Sequence, residues 1–369
     1  MSAPVAITLF VLALLVVILI HEAAHFGMAK LFGIKVEEFF VGFGPRLWSI
    51  RRGETEYGVK ALPFGGYVRI AGMNPFQEPT PEELPRTFGA KPAWQRALVI
   101  VAGPATHFFI AFLVLVGLLA FVGVPTHSKP VIESVQARLG GSPSPAALAG
   151  VRAGDEIVSI DGIEDPTDRE VIDFTRRHVG QSFPITVVRD GHEVSVAVTP
   201  VVDPRLHQAR IGVIIGVGNV TVGPAGAVTK AGAVTGQLSW QVIKRLGQVF
   251  GPQGIGRVFD LLFGGAERRS TDVTSVYGIG RVVSQAPSLA DVLFIFVSVN
   301  VFVGILNLVP LPPFDGGHLA VLAYEKIRRR KVDMRRLVPV TAVVAAFLVL
   351  FMVSVLYLDI VKPLPNVFR

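Results

Sequence analysis

Apolar residues along this chain collect into four long runs, at approximately 4–25, 97–122, 290–309 and 337–358. A helix rising about 1.5 Å per residue needs roughly 20 residues to cross a hydrocarbon layer about 30 Å thick, and each run supplies that length. The first run lacks the basic start and small-residue exit of a cleaved signal peptide and continues straight into polar residues, which predicts a retained helix. Between the first two runs the pattern changes. Residues 34–72 are dense in glycine, aromatic and β-branched residues and alternate in places, as in Tyr57-Gly58-Val59-Lys60 and Tyr67-Val68-Arg69-Ile70. This predicts strands. The apolar clusters Phe39-Phe40 and 63–67 favour a hairpin dipping into the membrane interface over one lying in water. Residues 74–90, rich in proline and glutamate, predict a flexible cytoplasmic linker.

A compact domain is expected at about 128–201. Ser144 suits a helix N-cap, Pro145 the first helical position and Gly150 the end of a short helix. Gly154-Asp155 leads into a strand at 156–160, and Asp161-Gly162 makes a hairpin turn. A helix is expected near 166–178, then two alternating strands at 183–189 and 192–199 joined by Asp190-Gly191. The run "AGVRAGDEIVSIDG" resembles the signature of PDZ domains of the bacterial protease type. The carboxylate-binding loop of eukaryotic PDZ domains is not recognisable. Beyond it, "QARIGVIIGVGNVTV" predicts a strand pair, and about 225–250 and 255–263 predict amphipathic helices, on the outer membrane surface or against the PDZ-like domain.

The predicted fold class is a polytopic α-helical membrane protein with about four transmembrane helices, a membrane-associated β-hairpin region and an inserted α+β PDZ-like domain. Its segments are the first span (1–33), the re-entrant β region (34–73), the linker (74–93), the second span (94–123), the PDZ-like domain (124–204), an amphipathic region (205–288), the third span (289–320), a basic cytoplasmic segment (321–336), and the fourth span with its tail (337–369).

Composition agrees with a membrane protein: 51% of the 369 residues are hydrophobic and 17% charged, and the mean hydropathy is +0.54. There are no cysteines, which excludes disulfides, thiolate nucleophiles and thiolate metal ligands. The net charge of +7 does not point to nucleic acid, because the basic residues bunch beside the apolar runs. Lys30, Lys35, Arg46, Arg51, Arg52, Lys60 and Arg69 follow the first run, and "EKIRRRKVDMRR" follows the third. Both loops are therefore expected in the cytoplasm, with both termini and the PDZ-like domain outside.

The first run ends in His21-Glu22-Ala23-Ala24-His25. Residues i and i+4 share a helical face, so both imidazoles point one way with Glu22 beside them. This is the H-E-x-x-H arrangement of zinc hydrolases, in which two imidazoles hold the ion and the glutamate takes a proton from water. The alternative is an interfacial cap whose groups are simply wet. Ionisable groups are costly in a membrane helix, which favours the metal. The motif lies about 17 residues into the helix, roughly 25 Å deep and close to the cytoplasmic face.

A catalytic zinc site needs a third protein ligand. The third run descends to the same depth and ends in "NLVPLPPFDGG". Its prolines stop the helix, and Gly316-Gly317 permits close backbone approach. A set of two imidazoles and one carboxylate favours Asp315 over its rival His318. Asp315 could also be a turn or N-cap residue. Asn300 and Asn307 lie seven apart on one face, as helix-packing amides or, for Asn307, as a holder of a substrate backbone group or oxyanion. His107 is expected to pack between helices or touch a substrate channel.

Taken in order, "HEAAH", "PFGGYV", "VAGPATHFF", the PDZ-like insert and "NLVPLPPFDGG" resemble the site-2 intramembrane zinc metalloproteases, and within them the regulator-of-sigma-E branch in its single-PDZ actinobacterial form. The resemblance spans nearly the whole chain and is weakest over 205–288. It implies Zn2+ held by His21, His25 and Asp315, with Glu22 as catalytic base. It also implies a re-entrant β element that pairs with extended substrate, with Gly65 and Gly66 as substrate-binding positions and Asn307 in substrate handling. The implied substrates are pre-trimmed single-pass membrane proteins, such as anti-sigma factors, or remnant signal peptides, cleaved in a bacterial inner membrane. The chain departs from the family at His107, where asparagine is usual. Two other classes remain open: an inactive PDZ-type membrane scaffold, and a metal transporter.

Overall fold

The computed structural model describes residues 3–365 apart from 75, 77, 78, 123, 205–207, 221, 270 and 287. The chain divides into two compact units, Met1–Val116 with Val228–Arg369, and Gly117–Ala227.

The first unit opens with α1 (Ala3–Leu31), a 29-residue helix that carries the first apolar run. Two long strands follow, β1 (Val36–Arg52) and β2 (Thr55–Ile70), paired antiparallel. The pairing is doubled: Glu38 faces both Arg69 and Glu56, and Val41 faces both Gly66 and Val59. Each strand bends back on itself, so residues 36–41 lie between 66–70 and 56–59. Gly42 and Gly65 hold positive φ of 87° and 97°, values that glycine adopts without a Cβ penalty. The side chains of Phe43, Leu47, Trp48, Val59 and Leu62 remain exposed.

The stretch expected as a flexible linker is docked over its second half. The Phe88 amide donates to the Ala71 carbonyl at 2.8 Å, and the Lys35 amide to the Arg86 carbonyl at 2.9 Å. Glu83 pairs with Lys35, and Arg86 with Glu54 at 2.7 Å. The physical reason is Phe88, whose ring joins a core of Ala29, Ile34, Val36, Ile70, Val99, Ile100 and Leu322. The chain then enters α2 (Ala93–Phe121), with Pro104 inside it.

The second unit is the insert. It contains β3 (Val124–Val135), β4 (Arg138–Leu139), β5 (Ser142–Pro143), α3 (Pro145–Leu148), β6 (Glu156–Ile160), β7 (Ile163–Glu164), α4 (Asp168–Arg177), β8 (Phe183–Arg189), β9 (His192–Val198), β10 (Val201–Asp203), β11 (Gln208–Arg210) and β12 (Val213–Val220). The main sheet has the order β12-β3-β6-β8-β9, with β7 on β6. Its turns are local. Asp161-Gly162 and Asp190-Gly191 each hold two successive positive φ values, the signature of tight hairpin turns. Ser144 caps α3 and Thr167 caps α4. Ile132, Ile157, Ile160, Val171, Phe174, Ile185 and Val187 form the core. The sheet runs past the expected boundary at 204, because β12 pairs with β3 from Val213 to Val220 and its Val213 and Ile215 pack on that core.

The chain returns to the first unit through α5 (Pro224–Val249) and α6 (Pro252–Phe263), close to the two expected helices. A further helix, α7 (Val276–Gln285), was not foreseen. Then come α8 (Leu289–Asn307), α9 (Asp315–Arg328) and α10 (Val338–Val361). A capping box of Ser288 and Asp291 starts α8. Four helical stretches are long and apolar enough to cross a membrane: Pro4–Leu31, Ala93–Phe121, Leu289–Asn307 and Met334–Val361. They coincide with the four apolar runs. The far end of α10 carries Asp359, paired with Arg268 at 2.8 Å, with only 1% and 2% of the two side chains exposed. Asp359 also accepts from the Ser275 amide at 2.6 Å and the Thr274 hydroxyl at 3.1 Å.

Candidate metal centre

Helical spacing on α1 sets His21 and His25 one turn apart, with ring centroids 4.7 Å apart and planes at 80°. His25 Nδ1 donates to the Val99 carbonyl on α2 at 2.7 Å. A carbonyl can only accept, so in the neutral ring that nitrogen carries the hydrogen and Nε2 keeps its lone pair. This Nε2 lies 3.1 Å from His21 Nε2. The Asp315 Oδ2 lies 3.4 Å from each of them. Both histidines are buried.

Asp315 comes from the other half of the chain. After α8 ends, the proline-rich turn reverses direction and α9 begins at Asp315, with Phe314 in the N-cap position. Asp315 is therefore the first helical residue and not the cap. Gly316 lies so close to the preceding turn that a Cβ there would sit 2.3 Å from the carbonyl oxygens of Leu308 and Val309. Only glycine lets the backbone fold back this tightly.

Two imidazole nitrogens and a carboxylate oxygen thus converge; when His21 carries its hydrogen on Nδ1 all three present lone pairs to one point, an arrangement suited to a cation. Zinc bonds of about 2.0–2.1 Å in tetrahedral geometry separate neighbouring ligands by roughly 3.3–3.4 Å. The observed 3.1–3.4 Å fits a zinc-like ion. Among the described residues, His21, His25 and Asp315 are the group of three able to hold a metal. His318 is on α9 but outside that group.

Glu22 is half-buried on the same helix, within Coulombic reach of His21, His25 and Asp315. It lies against the Val68 backbone on β2, and a Cβ at Gly66 would come 3.4 Å from its Cγ. Gly65 and Gly66 are thus in the segment of β2 that runs beside Glu22. That segment, 66–70, pairs with 36–41, and among the described residues no strand lies on its other side. Asn307 is the half-buried last residue of α8.

Two features escaped the sequence analysis. The first is Gly103 on α2. A Cβ there would lie 2.2 Å from His25 Nε2 and 2.7 Å from His21 Cε1, so the bare backbone forms one wall of the cluster. Its only signal was a glycine before Pro104 inside an apolar helix. The second is a contact between His107 and Asn300, both buried. His107 Nδ1 meets Asn300 Oδ1 at 3.3 Å across α2 and α8, and the His107 ring lies 5.1 Å from that of His21.

The chain is 35% identical to zinc metalloprotease Rip1 of Mycolicibacterium smegmatis, over 98% of each chain. It is also 35% identical to Rip1 of Mycobacterium tuberculosis, over 97% of this chain and 98% of that protein. With metalloprotease MmpA of Caulobacter vibrioides the identity is 29%, over 87% and 86%. Among solved structures, the PDZ domain of an SdrC-like protein from Listeria monocytogenes matches 24% of this chain and 90% of its own, at 24% identity and a TM-score of 0.21. The family model for Peptidase family M50 matches residues 9–351. On that match and on the near full-length identity to Rip1, the chain belongs to peptidase family M50, the site-2 proteases.

Proposed function

We propose that the protein is an intramembrane zinc endopeptidase that hydrolyses a peptide bond within a transmembrane segment. The observation that carries this reading is the convergence of His21 Nε2, His25 Nε2 and Asp315 Oδ2 at 3.1–3.4 Å, on helices otherwise apolar enough to span a membrane. His21, His25 and Asp315 would hold the ion. Bound there, zinc would supply a Lewis acid for the scissile carbonyl and favour ionisation of water.

The chain's own groups do the rest. Val99 fixes the orientation and tautomer of His25 through the 2.7 Å hydrogen bond. Glu22 receives a proton from the attacking water at its carboxylate and returns it to the leaving nitrogen. Residues 66–70 offer an unpaired edge beside Glu22, where an unwound substrate adds as an extra strand. Gly65 and Gly66 keep that edge free of bulk, and Asn307 holds a backbone group of the substrate. The exposed Phe43, Leu47 and Trp48 suit a β element in the membrane interface.

The basic residues flanking the spans orient the cluster near the cytoplasmic face, with both termini and the insert outside the cell. The insert acts as a PDZ-like filter that excludes bulky ectodomains. Accepted substrates are then single-pass proteins already trimmed by another protease, of the anti-sigma factor or remnant signal peptide type.

The test is cleavage of a single-span substrate with a truncated ectodomain, co-expressed with the wild type or with Glu22→Gln. Cleavage by the wild type alone supports the reading. Equal cleavage by both removes Glu22 from the chemistry. Zinc content of the purified wild type and of Asp315→Ala separately checks the metal site.

A further inference from the structure

The two candidate imidazole ligands are not equally supported. A histidine that binds metal through Nε2 carries its hydrogen on Nδ1, and that hydrogen almost always has an acceptor. For His25 the acceptor is the Val99 carbonyl, 2.7 Å away. His21 Nδ1 is buried and has no hydrogen-bond partner among the described residues. A buried N–H left this way is costly, and native structures rarely tolerate it.

The neighbouring imidazole is His107, with ring centroids 5.1 Å apart and planes at 53°. Its hydrogen-bonding state follows from Asn300. Asn300 Nδ2 donates to the Phe296 carbonyl at 2.9 Å, which fixes the amide with its oxygen toward α2. That oxygen accepts, so the His107 Nδ1 facing it at 3.3 Å must donate. Neutral His107 is thereby left with a bare lone pair on Nε2.

We propose that His107 is a positioning residue for His21, its Nε2 accepting from one bridging water that in turn accepts the His21 Nδ1 hydrogen. The chain Phe296–Asn300–His107–His21 would then do for one ligand what Val99 does for the other, and it would run from α8 through α2 to α1. Gly304 supports the placement: a Cβ there would come 3.1 Å from His107 Cβ, so the bare backbone of α8 lets α2 pack closely at His107.

This inference rests on the metal reading above, and the experiment separates the two. Full-length protein in detergent is loaded with zinc, and zinc loss to a competing chelator is followed for the wild type, His21→Ala, His107→Phe and His107→Asn. His107→Phe keeps a ring but has no acceptor, and it should bind zinc about 10- to 100-fold more weakly. His107→Asn restores an acceptor and should stay within about threefold of the wild type, a rescue that mere packing would not give. The inference is overturned if His107→Phe holds zinc like the wild type while His21→Ala does not. Equal zinc uptake by the wild type and His21→Ala overturns the metal reading, and this inference with it. Should His107→Phe fail to fold, the nitrogen NMR signature of His107 in the wild type decides. An Nδ1–H tautomer supports the proposal, and an Nε2–H tautomer ends it.

Discussion

Two clusters of ionisable groups in the helical unit are built on opposite plans. At the far end of α10, Asp359 meets Arg268, and two neighbouring donors, the Ser275 amide and the Thr274 hydroxyl, complete its coordination. Positive and negative charge balance, so the cluster calls for no further ion, although the Arg268 Nε hydrogen meets no partner among the described residues. At the other site His21, His25 and Asp315 bring three potential metal-donor atoms within 3.4 Å of one another, and the group holds no Lys or Arg among the described residues. The first cluster spends its charges on holding α10 to the segment before α7. The second leaves a demand open, and a protein retains such a demand in a membrane only where something fills it. A buried ionisable group is therefore not by itself a sign of function; an uncompensated set of them is.

That contrast can be attacked from both sides. The largest effect is expected at Glu22→Gln, which should lower turnover by about 10²–10⁴-fold while zinc content stays at the wild-type level. A parallel fall in zinc would mean that Glu22 holds the site rather than acting in it. Next, Asp359→Ala should cost about 3–5 kcal/mol of stability by stranding Arg268, read as a shift in denaturant unfolding, with zinc per folded molecule unchanged. Replacing Arg268 and Asp359 together by Met and Leu should recover most of the loss. If the double replacement is as damaging as the single one, the pair is more than a self-contained tie.

A smaller effect is expected at Gly103→Ala. The added methyl meets the two imidazoles at 2.2–2.7 Å, and overpacking of about 1–3 kcal/mol should weaken zinc about 5- to 150-fold by metal titration. The same change at Gly117, where a Cβ meets nothing within 4 Å, should leave zinc affinity unaltered. The smallest effect belongs to a third pair, in the β-rich unit. There Arg189 hydrogen-bonds Asp155 at 2.6 Å and holds its carboxyl below the usual carboxylate range. A depressed folded pKa contributes stability above the unfolded value of about 3.9 and loses it as pH falls through the folded one. Hydrogen exchange in β6 and β8, corrected for intrinsic rates, should quicken below about pH 4 in the wild type and depend less on pH in Arg189→Ala.

How much of this could be read from the sequence depended on distance along the chain. In the β-rich unit the turns at Asp161-Gly162 and Asp190-Gly191 and the cap at Ser144 are each decided by a few adjacent residues, and they were readable. His21 and His25 were readable because four residues make one helical turn. Asp315 was singled out because the depth of two spans can be counted independently. What failed to show was proximity between remote segments. Nothing local says that Phe88 is buried and pins the expected linker, or that β12 joins β3 beyond the expected domain end. Gly103 looks like any small residue in an apolar helix until the imidazoles lie against it. Asn300 and His107 looked like two separate polar residues, and only the packing of α8 on α2 makes them a pair.

The origin of Asp315 in the second half of the chain also has a consequence in time. About 290 residues separate His25 from Asp315, and translation at roughly 5–20 residues per second takes about 15–60 s to cover them. A growing chain displays its two histidines and its glutamate for that whole interval without the carboxylate that completes the set. The same gap means that a truncated product lacking Asp315 has two of the three candidate ligands. Completion of the cluster thus waits on synthesis: the third span must be made and placed before Asp315 can join the two histidines.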